Sequence, residues 1–144
     1  MGQTPDINKS SSVSIRYARE EDYKDILSIG EDLVKVLLPE EEFNIQKIRL
    51  LFDKALENKD YTCIVLVDKD RIKGFVLGTL AEHLFHIKPI CMCTAIYVFP
   101  EYRRYGLEMI RSFEAWARYK NAEMVFISTF SGISPESMGK VLGK

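Results

Sequence analysis

No apolar run in this chain approaches the roughly 18 to 20 residues needed to cross a bilayer. Its first residues also lack the charged-then-apolar layout of a signal peptide. The expected location is therefore the cytoplasm, with no membrane partner. Surplus charge is missing as well: 20 basic against 21 acidic side chains leave a net charge of −1. That balance gives no general attraction to nucleic acid or to an anionic surface, so no nucleic-acid partner is expected and any basic site has to be local. Cysteine is scarce. Cys63, Cys91 and Cys93 are an odd number and all fall in strand-like runs, which excludes a disulfide scaffold and makes them reduced core residues. A zinc site would have to use His83, His86, Cys91 and Cys93, but two cysteines on one strand face lie roughly 6 to 7 Å apart, too far to share one tetrahedral ion easily. No metal is expected. Met1-Gly2 is followed by Asp6 where a myristoylation signal needs Ser or Thr, so lipidation is set aside.

What is present is enough for one domain: 144 residues, 47% of them hydrophobic. Residues 1–12 are polar, aperiodic and end in three serines, the composition of a disordered tail, so the folded domain is expected over 13–144. Ser12 to Tyr17 alternates like a strand, and Ala18 to Asp22 opens a helix with acids in its first turn. Ile26, Leu27, Ile29, Leu33, Val34, Leu37 and Leu38 continue that helix until Pro39 stops it; the acidic Glu40-Glu41-Glu42 reads as a solvated loop. A second helix runs from about Asn44 to Asn58. Tyr61–Val67 and Ile72–Leu80 form a hairpin about the turn Asp68-Lys69-Asp70-Arg71, with Gly74 and Gly78 marking bulges or close backbone approach. Glu82 to Pro89 is a loop, where Glu82, His83 or His86 could serve as an acid or base or simply lie at the surface. Glu123 to Phe130 is a further strand, and Ser134-Pro135 begins a last short helix over Met138 to Gly143.

The stretch around which these elements are organised is Tyr97 to Glu108. An apolar strand, Cys91 to Val98, precedes it, and Met109, Ile110, Phe113, Trp116 and Ala117 follow at helical spacing. Strand, basic loop and helix in that order aim unpaired backbone N–H groups and the positive end of a helix dipole at one spot, which suits a phosphate or diphosphate. Arg103 and Arg104 reinforce it. Val98-x-Pro100-x-Tyr102-Arg103-x-x-Gly106 resembles the acetyl-CoA-binding segment of the GCN5-related N-acetyltransferases (GNAT), V-x-P-x-x-R-G-x-G-x-G/A. Ile15-Arg16-x-Ala18-x-x-x-Asp22 and Lys73-Gly74-Phe75-Val76 resemble other segments of that family, and the order β-α-α-β-β-β-α-β-α is also that of its fold. Two positions depart from the pattern: Arg104 stands at the first loop glycine and Glu108 at the final Gly/Ala.

The resemblance implies an α/β acyl-CoA N-acyltransferase (GNAT-like) fold, a mixed and mostly antiparallel sheet flanked by helices, with the closing C-terminal strands absent. It implies acetyl-CoA as acetyl donor and a primary amine of a small molecule or protein as acceptor. The pantetheine arm would pair with the strand at Ile96 to Val98, and Arg103, Arg104, Tyr105, Gly106, Leu107 and Glu108 would wrap the diphosphate. Where family members carry a basic glutamate and an acidic tyrosine, this chain has Ala95 and Leu142, so no catalytic residue is assigned. The missing closing strands lead us to expect a homodimer that shields the Glu123 to Phe130 strand. The alternative function is a non-catalytic GNAT-like binding or assembly module.

Overall fold

The computed structural model describes residues 12–37, 44–82, 84, 85 and 87–127. Strand β1 (Val13–Tyr17) is followed by a 3₁₀ turn at Glu20–Asp22, helix α1 (Tyr23–Leu37) and helix α2 (Ile45–Glu57). Strands β2 (Tyr61–Asp68), β3 (Arg71–Ala81) and β4 (Ile90–Val98) come next. A 3₁₀ segment, Pro100–Tyr105, then leads into helix α3 (Gly106–Tyr119), and β5 (Met124–Ile127) ends the described chain. The first helix starts later than its acids predict, because Asp22 is used otherwise. Its buried carboxylate accepts the Arg19 N–H at 2.7 Å and pairs with both terminal nitrogens of Arg16 at 2.8 and 3.1 Å, keeping Arg19 extended. Asn44 caps α2, its side chain accepting from the Lys47 N–H.

The five strands lie in the order β1-β2-β3-β4-β5, antiparallel except for the parallel β4–β5 pair. This is the expected mixed, mostly antiparallel sheet. Strand β2 is buried from Thr62 to Asp68 because both of its faces are covered, which is why it reads as an unbroken apolar run. Ile64 and Leu66 join Met109, Ile110, Phe113 and Trp116 of α3 on one face. Cys63, Val65 and Val67 join Ile26, Ile29 and Phe52 of α1 and α2 on the other. Of the expected C-terminal strand the structure places Met124–Ile127; residues 128–130, the helix over 138–143 and the sheet edge proposed for a dimer beyond them fall outside the described residues. The tail over 1–11, the acidic loop at 40–42, His83 and His86 also lie outside them.

Strand β4 changes face partway along. Cys91 and Cys93 point into the α3 core, but so do Ile96 and Val98, while Ala95 and Tyr97 join the α1–α2 core. The parity shift has one cause: the β3–β4 register jumps from Leu77↔Ala95 to Gly78↔Cys93, leaving Thr94 as an extra residue. Thr94 Oγ1 donates to the Leu77 carbonyl at 3.1 Å. Both glycines of β3 are explained by close approach. A Cβ on Gly74 would sit 2.9 Å from the Tyr97 carbonyl oxygen, and one on Gly78 would overlap the Phe113 ring, 2.9 Å from Cζ.

Candidate cofactor site at the end of the bulged strand

The bulge at Thr94 sets the site. Among the described residues β4 pairs with β5 from Ile90 to Cys93, opposite Met124 to Ile127, and a bulged strand bends at the extra residue. Beyond Cys93 the side of β4 that faced β5 has no strand partner among the described residues. Which backbone groups face that opening follows from the antiparallel alternation. The Phe99 N–H donates to the Lys73 carbonyl at 2.9 Å, so residues 99 and 97 bond toward β3 and the N–H and C=O groups of Ile96 and Val98 point away from it. Their side chains are buried against α3, so these residues offer only main chain to a ligand.

The opening is bounded by the Pro100–Tyr105 segment. Arg103, half-buried, turns back over the Tyr97 ring with its guanidinium carbon 5.6 Å from the centroid, and its Nε donates to the Val98 carbonyl at 2.5 Å. One of the two open-edge carbonyls is thus capped by the arginine that the sequence assigns to a phosphate. Arg103 makes no ion pair among the described residues. Arg104 is exposed, donates from Nη1 to the Glu101 carbonyl at 3.1 Å and stacks on Tyr105 at 4.8 Å. The two arginines thus engage different carbonyls, one on β4 and one within the segment.

The segment differs from the open loop that its sequence implies. It is a 3₁₀ helix running directly into α3, so the Tyr102 N–H is bonded to the Phe99 carbonyl and the Gly106 N–H to that of Arg103. Gly106, counted among the diphosphate donors, therefore has its donor in use. Pro100 starts the segment at the position where a missing N–H costs nothing. Tyr105 packs on the α3 core and makes no side-chain cap bond as its N-cap, Leu107 is half-buried, and Glu108 lies exposed in the first turn of α3. Among the described residues the Glu108 carboxylate accepts no hydrogen bond from the helix N–H groups.

On the α1–α2 face of the same strand lie Ala95 and Tyr97, with no carboxylate on β4. Tyr97 meets Phe99 edge-on at 5.9 Å. Glu82 is exposed at the end of β3, and Leu142 falls outside the described residues. Cys91 and Cys93 are buried core thiols, Cys93 Sγ donating to the Ala95 carbonyl at 3.5 Å, and among the described residues no group of three His, Cys, Asp or Glu side chains could hold a metal ion. No described helix is long and apolar enough to cross a membrane. Asp68 and Tyr102, joined by a hydrogen bond, are the site neighbours that sequence reasoning missed. They lie 34 residues apart, and no local pattern links them.

The model of the acetyltransferase (GNAT) family matches residues 16–137. No curated protein matches the chain. Among solved structures, a probable acetyltransferase is 18% identical with a TM-score of 0.72, over 90% of this chain and 86% of that one. The apo aminoglycoside 6'-N-acetyltransferase AAC(6')-IG from Acinetobacter haemolyticus is 19% identical with a TM-score of 0.70, over 91% and 90%. AAC(6')-Iy, solved with the bisubstrate analog CoA-S-monomethyl-acetylneamine, is 16% identical with a TM-score of 0.64, over 89% and 84%. At these identities the likeness is one of fold.

Proposed function

The chain belongs to the GNAT acetyltransferase family, and from that membership we propose that it transfers an acetyl group from acetyl-CoA to a primary amine of a small molecule or a protein. The observation that carries this reading is the edge of β4 past the Thr94 bulge, which has no strand partner among the described residues. A pantetheine arm is an extended chain with two amide groups, and the backbone of Ile96 with the Val98 N–H can take it as an added strand, the Val98 carbonyl staying with Arg103. At the end of that edge the positive end of α3, Arg103 and Arg104 favour a diphosphate. Bound acetyl-CoA supplies the activated thioester.

The chain's own part is mainly positioning. The β4 edge fixes the arm, and the α1–α2 face at Ala95 and Tyr97 is where an amine would approach the acyl end. With Ala95 on the strand, no β4 carboxylate takes the amine's proton. The acceptor must arrive as the free amine or lose its proton to water, and Tyr97 is the phenol available on that stretch. The similar structures include aminoglycoside acetyltransferases, and this supports including small amines in the proposed acceptor class.

Titration calorimetry of the wild-type protein with acetyl-CoA tests the donor assignment. Saturable binding at one site is expected, and no binding at millimolar concentration would favour the non-catalytic module. The same titration on Glu108→Ala measures the departure at the end of the motif. Glu108 is exposed, so its repulsion of a phosphate is that of charges in water, about 1 kcal/mol at contact distance. A gain in affinity of up to about fivefold is expected at low salt, shrinking as salt is added. Unchanged affinity at low salt would show that Glu108 is remote from the bound phosphates.

A further inference from the structure

We infer that the hydrogen bond between Tyr102 and Asp68 is a positioning contact that holds the Pro100–Tyr105 segment in the shape the proposed acetyl-CoA site requires. The inference rests on the function proposed above. Asp68 ends β2, and the next two residues, Lys69 and Asp70, both adopt the left-handed conformation, with φ of 54° and 66°. That tight turn closes the β2–β3 hairpin beside the segment. The Asp68 carboxylate is buried and divided between two donors: Ser12 Oγ reaches Oδ1 at 2.6 Å and the Tyr102 hydroxyl reaches Oδ2 at 2.5 Å. Ser12, assigned by sequence to the tail, is thus fastened to the domain. Both bonds have the short length of an O–H donor on an ionised carboxylate.

Among the described residues this is the one side-chain hydrogen bond that ties the segment to anything other than itself and β4. Lys73 adds to the same junction, its ammonium 5.8 Å from the ring centres of both Phe99 and Tyr102. The ionisation states agree with the geometry. The hydroxyls of Ser12 and then of Tyr102 hold the Asp68 carboxyl below the usual carboxylate range, while the hydrogen bond to Asp68 raises the Tyr102 phenol above its ordinary value. At neutral pH the acceptor is charged and the donor keeps its proton. Tyr102 directly precedes Arg103, whose Nε caps the Val98 carbonyl. A rotation of the segment would carry both arginines away from the open edge, and the clamp on Tyr102 opposes that rotation.

The test is calorimetric titration of CoA into wild type, Tyr102→Phe and Asp68→Asn at 20 °C, beside thermal unfolding of each. We expect Tyr102→Phe to bind CoA about five- to tenfold more weakly at a temperature where it is fully folded. Asp68→Asn should bind within about twofold of wild type, because the amide oxygen still accepts from the phenol and the amide nitrogen can donate to Ser12. A merely structural bond would lower the melting point of Tyr102→Phe and leave its affinity at 20 °C unchanged, and that result would overturn the inference. Wild-type protein that binds no CoA would overturn the donor assignment itself, and the positioning role with it.

Discussion

Gly78→Ala should cost about 3 kcal/mol of folding stability, at the upper end of what overpacking of a close-packed core brings. The added methyl would overlap Cε1 of Phe113, whose ring is 1% exposed and stacks on Trp116 at 5.9 Å, so the ring has nowhere to withdraw. The alternative is that α3 lifts off the sheet. Because α3 also carries the start of the proposed cofactor site, such a shift would weaken CoA binding in addition to stability. Urea denaturation of Gly78→Ala, Phe113→Leu and the double variant separates these contributions. The alanine should cost clearly less in the Phe113→Leu background, a coupling of about 1 kcal/mol or more. Additive costs would show that the ring is not what keeps position 78 a glycine.

Arg103→Ala carries the other large effect, on binding. In the proposed complex this side chain caps the Val98 carbonyl and adds positive charge beside the diphosphate, and truncation removes both. A charge-assisted contact of this kind is worth about 1.5 to 3 kcal/mol, so acetyl-CoA affinity should fall by roughly ten- to a hundredfold. Arg103→Lys should recover only part of that loss, since an ammonium keeps the charge but lacks the planar fork that serves a carbonyl and a phosphate together. Equal affinity for wild type and Arg103→Ala in calorimetry would remove Arg103 from the cofactor site and leave it a cap for the strand end.

Much of the architecture was legible because local chemistry and tertiary structure agree. The second helix spans Ile45–Glu57, Asp68 to Arg71 makes the hairpin turn, and Met109, Ile110, Phe113, Trp116 and Ala117 form the buried stripe of α3. Gly74 and Gly78 were readable as points of close approach, although the atoms they approach, on Tyr97 and Phe113, were not. The bulge left a trace in the sequence that is clear in retrospect: apolar residues at 91 and 93 resume at 96 and 98, a break in the period of two that only an extra residue allows. The loop after β4 was harder. Pro100, Arg103 and Gly106 are compatible with an open anion-binding turn and with a 3₁₀ helix, and what distinguishes them is whether each N–H finds the carbonyl three residues back. Ser12, Asp68 and Tyr102 meet through the sheet, so composition alone places the serine in a tail and the tyrosine in a loop.

The central claim is that the open β4 edge and the basic start of α3 together hold acetyl-CoA for transfer to an amine. The most direct measurement is release of free CoA thiol from acetyl-CoA by the wild-type protein across a panel of primary amines, with mass spectrometry of each acceptor. Amine-dependent thiol release is expected, matched by a 42 Da gain, about the mass of one acetyl group, on the amine that supports it, with loss of that activity at subsaturating acetyl-CoA in Arg103→Ala. Saturable acetyl-CoA binding with no thiol released above the uncatalysed rate for any amine would contradict it and leave a family member that binds the donor without using it.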